Sequence, residues 1–203
     1  MAIMAQHPGK RQTKRRERRP PKPLDEAKLE KLALAYVARF ATSAGKLEQY
    51  LKRKLRERGW PGRDEGADGP DIAALVQRYR ERGYVDDAAY AKARAGDLLR
   101  RGYGANRVRQ ALGQAGIGES VRDQVAPGEA AKRRAALHLA RKRGFGPFAL
   151  QPADREKREK HVAAMLRAGH TFDHTRAVLD AQDKDAVEQW LAEAEEYEND
   201  ERD

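Results

Sequence analysis

The stretch that decides the fold is Gly83-Tyr84-Val85-Asp86-Asp87. A glycine after a helical segment ends the helix, because glycine adopts the left-handed conformation that other residues resist. Asp86 or Asp87 can then accept free amide protons at the start of the next helix. The stretch therefore predicts a junction between two helices, with apolar side chains anchoring the turn.

Helical periodicity extends from this junction in both directions. Upstream, apolar residues recur at one-turn spacing from position 25 to Phe40. Ser43 can cap a second helix that ends at Gly59, and Asp71 can cap a third. Downstream, an Ala-rich helix over 87–101 ends at the Gly102-Tyr103-Gly104 turn. Because no run alternates apolar and polar β-branched residues, we predict an all-α protein.

The Gly102-Tyr103-Gly104 turn belongs to an internal repeat. Arg100-Arg101-Gly102-Tyr103-Gly104 resembles Lys142-Arg143-Gly144-Phe145-Gly146, 42 residues further on. A unit of three short helices buries only a small core and gains stability by stacking on its neighbours. We therefore predict an elongated tandem array of three-helix units at 25–85, 86–126 and 127–181. A C-terminal helix with an acidic end would occupy 182–203, and a disordered basic tail would occupy 1–24.

Together, these residues resemble the RecX regulatory family. Gly83 through Ala91 matches the most specific motif of that family, and the resemblance covers about residues 28–180. It is weaker in the third unit. Two departures are the long spacing from Ser43 to Gly59 and an inserted stretch at 147–159. The resemblance implies a fold of tandem three-helix repeats. It also implies that the protein modulates the RecA recombinase, by lying along the groove of the RecA–DNA filament and restraining the ATPase and strand exchange of RecA.

Composition excludes several classes of protein. The chain has 203 residues, of which 36% are charged and none is cysteine. Without cysteine there are no disulfides, thiolate zinc sites or thiol nucleophiles. No apolar run approaches the roughly 20 residues of a membrane span, and the N-terminus lacks the apolar stretch of a signal peptide. We expect a soluble cytoplasmic protein that does not contact membranes.

The formal net charge of +10 is unevenly distributed. Residues 1–24 carry +7, and residues 193–203 carry −6. The 168 residues between them carry +9, so the predicted folded body is itself basic. A basic folded surface indicates a polyanionic partner more strongly than a basic tail does.

Basic side chains cluster beside the two Gly-aromatic-Gly turns, where guanidinium groups can bind phosphate oxygens in pairs. Alternatively, these cations only offset the dipole at helix C-termini. The candidate contacts to RecA or DNA are Arg94, Arg100, Arg101, Arg107 and Arg109 in the second unit, and Arg133, Arg134, Arg141, Lys142 and Arg143 in the third.

Other motifs indicate structure rather than chemistry. Tyr103 and Phe145 could stack on bases, although packing between helices is the favoured role for both. His170 and His174 have the spacing of two metal ligands, but no third ligand is evident, and surface or capping roles are favoured. The Asp86-Asp87 and Asp64-Glu65 pairs are explained by capping and by a solvated loop. We find no catalytic constellation.

The first functional hypothesis is therefore a non-enzymatic regulator that binds the RecA–DNA filament as a monomer, without a cofactor or metal. It would contact single- and double-stranded DNA through its basic surface. The alternative is a general helical protein that binds DNA or RNA independently of RecA. An acid–base enzyme lacks candidate residues.

Overall fold

The computed structural model describes residues 22–201, and within that range the chain forms helices and turns but no strand. The predicted all-α class is confirmed. The α-helices of this range are Glu26–Arg39 (α1), Ala44–Arg58 (α2), Ile72–Glu81 (α3), Asp87–Arg100 (α4), Ala105–Gln114 (α5), Glu119–Gln124 (α6), Glu129–Arg143 (α7), Arg155–Arg167 (α8), Phe172–Leu179 (α9) and Lys184–Asp200 (α10). None of them is long and apolar enough to cross a membrane.

The predicted helix starts are made by side-chain caps. Ser43 accepts a hydrogen bond from the amide of Lys46 at 3.2 Å, and Asp71 and Asp86 do the same for α3 and α4 at 2.9 Å. Each cap satisfies an amide that the first turn of a helix leaves without a partner. Gly59 ends α2 with a positive φ of 68°, as the sequence predicts.

Three apolar clusters form the cores. The first lies among α1, α2 and α3, the second among α4, α5 and the residues that follow α5, and the third among α7, α8, α9 and α10. We call α1–α3 unit one, α4–α6 unit two and α7–α9 unit three. The C-terminal helix α10 docks on the third core through Trp190 and Leu191, both of which are partly buried against it.

The junction between units is built the same way twice. The start of α2 meets the α5–α6 turn, where the Ser43 hydroxyl donates to the carbonyl of Ala115 at 2.5 Å. The start of α5 meets the α8–α9 turn, where the amide of Gly104 donates to the carbonyl of Ala168 at 2.9 Å. The second helix of one unit therefore contacts the second turn of the next unit.

The predicted tail of residues 1–24 lies outside the described residues except for its last three, and its end at residue 24 is wrong. Leu24 is fully buried in the first core, and its amide donates to the carbonyl of Gly59 at 2.9 Å. Gly59 ends the second helix of unit one, at the turn that accepts a preceding unit elsewhere in the array. Residues 22–24 thus cover the exposed end of the array.

Phe40 also differs from its expected place. The sequence puts it on the apolar face of the first helix, but α1 ends at Arg39 and Phe40 has extended backbone angles. Its side chain is 49% exposed, and its ring lies 5.3 Å from that of Tyr36 between centroids. In the third unit, the stretch 147–159 begins within a 3-10 turn at Gly146–Phe148 and includes the first turn of α8.

Candidate polyanion interface

The basic residues of unit two lie around the turn between α4 and α5. Asp97 forms ion pairs with Arg94 at 3.4 Å and with Arg101 at 3.6 Å. Arg100 is exposed and has no ion-pair partner within residues 22–201. Because Asp97 is shared by two arginines, this helix end keeps a net positive charge.

The start of α5 adds further positive charge. Arg107 is exposed and hydrogen-bonds only to the amide side chain of Gln110, at 2.8 Å, whereas Arg109 pairs with Glu119 and Asp123. Gly104 precedes the helix and provides no side-chain cap. The amides of Gly104 and Asn106 donate to the carbonyls of Ala168 and Gly169, so the start of α5 is joined to unit three and its exposed positive charge is that of Arg107. Arg100 and Arg107 are therefore the two candidates of unit two whose guanidinium charge is not neutralised by a carboxylate.

Arg133 of unit three is a structural residue. Its guanidinium donates to the carbonyl of Trp190 at 2.6 Å and lies 4.8 Å from the centroid of the indole ring. It also pairs with Glu129 at 3.0 Å, and only 21% of its side chain is exposed. These contacts hold α10 against α7 and leave little of the charge for a partner.

The remaining candidates of unit three fall into two groups. Arg134 pairs with Glu195, and Arg141 pairs with Glu188, so both are occupied by carboxylates of α10. Lys142 and Arg143 are exposed at the C-terminal end of α7 and have no ion-pair partner among the described residues. The sequence predicts one basic cluster of these residues, whereas the structure separates them into a pair bound to carboxylates of α10 and a pair without an ion-pair partner among the described residues.

The two turn aromatics lie against the cores. Phe145 is buried in the third cluster, and its ring stacks on His161 with 4.1 Å between centroids. Tyr103 packs partly buried against the second cluster, beneath the guanidinium of Arg101 at 5.6 Å. Both side chains occupy the packing role that the sequence favours.

The two histidines do not face a common point. His170 is buried between units two and three, with Nε2 3.0 Å from the carbonyl of Gly102, and this burial lowers the pKa of the imidazole. His174 Nε2 lies 2.8 Å from Glu129. Burial would raise the pKa of Glu129, but hydrogen bonds from His174 and Arg133 outweigh it and lower that pKa to about 2. No cluster of three potential metal ligands occurs within residues 22–201.

The carboxylate pairs are structural as well. Asp86 caps α4, whereas Asp87 accepts a hydrogen bond from the amide of Ala44 at 2.8 Å and so joins units one and two. The sequence could not assign this role, because the partner lies 43 residues away. Asp64 and Glu65 lie in an exposed 3-10 turn.

Sequence reasoning also missed the carboxylates of α10, which were left as an unexplained acidic end. A signal was available. Glu188 and Glu195 are seven residues apart, as are Arg134 and Arg141. Two helices that pack antiparallel can pair such residues across their common edge.

Fold and site together define an all-helical repeat protein with arginine-rich helix ends, built from stacked three-helix units. The family described as "RecX, second three-helix domain" matches residues 86–125. The regulatory protein RecX of Myxococcus xanthus is 33% identical over 83% of this chain and 94% of its own length. That of Halorhodospira halophila is 31% identical over 75% of this chain and 87% of its own length. The chain belongs to the RecX family.

Solved structures agree on the fold. A crystal structure of regulatory protein RecX superposes with a TM-score of 0.58 at 22% identity, covering 76% of this chain and 71% of that chain. The crystal structure of RecX from Lactobacillus salivarius superposes with a TM-score of 0.57 at 16% identity, covering 82% and 96%. These likenesses establish a shared helical architecture.

Proposed function

We propose that this protein binds the RecA–DNA filament and restrains RecA ATPase, strand exchange and filament growth, without catalysing a reaction itself. Membership of a family of regulatory proteins supports the role, and the basic folded body supports the partner. The single observation that carries the proposal is the pair of exposed arginines, Arg100 and Arg107, which flank one interhelical turn without a neutralising carboxylate.

The proposed mechanism is steric and electrostatic. Successive units present successive helix ends, so that one chain can meet several repeats of a helical polymer. Contacts that are individually weak reinforce one another, because each bound unit holds the next at high effective concentration. A chain held in this way would bridge neighbouring protomers and hinder entry of a second DNA duplex.

The test measures RecA ATPase on single-stranded DNA with sub-stoichiometric protein added. The wild-type chain should slow hydrolysis, and Arg100→Glu/Arg107→Glu should need at least about tenfold more protein for the same effect, since two phosphate contacts become repulsive. The matched control is Lys31→Glu/Arg56→Glu, which removes the same charge from exposed positions of unit one. No effect of the wild-type chain on hydrolysis or strand exchange would refute the proposal.

The second candidate, a DNA- or RNA-binding protein independent of RecA, is favoured by the same exposed arginines, since they suit any phosphate. The two functions separate when DNA binding is measured with and without RecA. Equal losses for Arg100→Glu/Arg107→Glu in both assays would favour the second candidate. A loss confined to the assay with RecA would favour the first.

A further inference from the structure

The strongest unassigned feature is the contact between α7 and α10. Helix α10 packs antiparallel to α7 through an apolar stripe in which Val187 is fully buried, Ala194 is 4% exposed and Trp190 and Leu191 are partly buried. Glu198 extends this contact by accepting a hydrogen bond from the amide of Ala130 at 2.9 Å. Gly128 precedes α7 without a capping side chain, so Glu198 supplies the cap from a distant helix. The apolar stripe and this cap hold α10 in place.

Beside this apolar stripe, α7 and α10 also form two ion pairs. Arg134 pairs with Glu195 and Arg141 with Glu188, so residues seven apart on α7 meet residues seven apart on α10. Seven residues of helix span about 10 Å, so both pairs lie along one edge of the contact. We call Arg134 and Arg141 the arginine edge of α7.

These two pairs add little to folding. The side chains of Arg134 and Arg141 are 60% and 58% exposed, and ion pairs this exposed contribute little to stability because solvent screens them. Arg133, in contrast, is mostly enclosed by Trp190 and Glu129. The carboxylates of Glu188 and Glu195 are therefore not needed to hold α10, which the apolar stripe already does.

A carboxylate and a phosphodiester present the same feature to a guanidinium, namely two oxygens that share one negative charge. A phosphate group can thus replace either glutamate without undocking α10. In unit two, by contrast, the exposed Arg100 has no ion-pair partner among residues 22–201. The geometry points to a phosphate-binding arginine edge on α7 whose contacts to DNA are weakened by competition from the carboxylates of α10.

This inference goes beyond the proposed function, because it concerns DNA alone and a surface that the RecA assay does not isolate. The basic surface then has two parts. The open part, at Arg100 and Arg107, has no carboxylate partner, and the masked part is the arginine edge, whose guanidinium groups are paired with carboxylates of α10. A ligand that offers only scattered phosphates would bind the open part. Engagement of the masked part needs phosphates held close to it, since they must displace carboxylates that are always nearby.

The experiment measures binding of a fluorescent oligo-dT strand by anisotropy, in the absence of RecA, between about 50 and 200 mM salt. The full-length variant Glu188→Gln/Glu195→Gln should bind roughly threefold to tenfold more tightly than the wild-type chain at low salt. The slope of log affinity against log salt should steepen by about 1.4, as expected for two additional phosphate contacts to a single strand.

The matched control is Asp185→Asn/Glu196→Gln, which removes the same charge from exposed positions of α10 that form no ion pair within residues 22–201. A second variant adds Arg134→Gln/Arg141→Gln to Glu188→Gln/Glu195→Gln and should lose the gain. An equal gain in the control, or a gain that persists without the arginines, would overturn the inference. An unchanged melting temperature and helical circular dichroism would verify that α10 stays docked.

Failure here and failure of the proposed function are distinguishable. If the wild-type chain leaves RecA unaffected while the glutamate variant gains affinity for DNA, only the regulatory function is lost. If RecA is restrained while the glutamate variant binds DNA no better than its control, only the masked edge is lost.

Discussion

At the scale of single residues, the main chains of units two and three approach each other closely at Gly104. A Cβ added there would lie 2.3 Å from the carbonyl carbon of Gly169, well inside van der Waals contact. The main chains at Gly104 and Gly169 are joined by the hydrogen bonds of the junction, so neither segment can move away without breaking those bonds. Any side chain larger than hydrogen at position 104 forces units two and three apart.

We predict that Gly104→Ala lowers the free energy of unfolding by at least about 2 kcal/mol, the range of steric overpacking. The matched control is Gly118→Ala. Gly118 also precedes a helix at a negative φ, but an added Cβ would meet nothing within 4 Å. Both variants lose the same preference for glycine at a helix start, so urea denaturation isolates the clash. Equal destabilisation of the two would contradict the close approach.

Residues of the junctions were also the hardest to assign from the sequence. Asp87 reads as a capping residue, and His170 as a surface residue or metal ligand, because their spacing along the chain fits those roles. Each instead bonds to a backbone group of another unit, Ala44 and Gly102 respectively. Nothing local distinguishes a carboxylate that caps its own helix from one that reaches a helix 43 residues away.

At the scale of elements, helix starts were predictable where a side chain makes the cap. Ser43, Asp71 and Asp86 each bond to an amide three residues ahead, a contact that sequence alone specifies. Starts without such a side chain depend on other elements. Helix α7 begins after Gly128 and receives its cap from Glu198 of α10, which only the packing of two distant helices can provide.

The short segment at residues 22–24 leads to a prediction about the first unit. Leu24→Ala should destabilise the protein by about 2–5 kcal/mol, because a fully buried leucine leaves a cavity when truncated. The matched control, Leu150→Ala, truncates a fully exposed leucine and should change stability by less than about 0.5 kcal/mol. Chemical denaturation of both variants is the measurement. A Leu24 variant as stable as the Leu150 variant would show that the segment does not cover the array end.

At the scale of the whole molecule, charge and packing are coupled through α10. The sequence divides the net charge into a basic body and an acidic end, and the structure places Glu195 of that end, together with Glu188, against the arginines of unit three. The basic body therefore offers different charges to a partner at different units. Of the candidate contacts, unit two keeps Arg100 and Arg107 without a carboxylate partner, whereas those of unit three without an ion-pair partner among residues 22–201 are Lys142 and Arg143.

A stacked array should also lose structure locally. We predict that Trp190→Ala reduces amide protection in α7–α9 by about 2 kcal/mol while leaving α1–α3 unchanged, because each unit has its own core and contacts only its neighbours. Trp190 packs against the third core and under Arg133. Tyr197→Ala, at an exposed aromatic of the same helix, is the control. Hydrogen exchange measures both, and a uniform loss across all units would contradict a locally stabilised array.

The sequence by itself determined the helical class, most helix starts and ends, the family and the basic character of the body. These properties depend on spacing within one or two helical turns, or on residue counts, and need no knowledge of distant partners. Only the tertiary structure decided which charges are free. Arg100, Arg134 and Arg133 look alike along the chain, yet one is open, one is paired with α10 and one is enclosed by Trp190. The neutralisation of a charge depends on which carboxylate the fold brings within a few ångströms, and for Arg134 that carboxylate belongs to Glu195, 61 residues away.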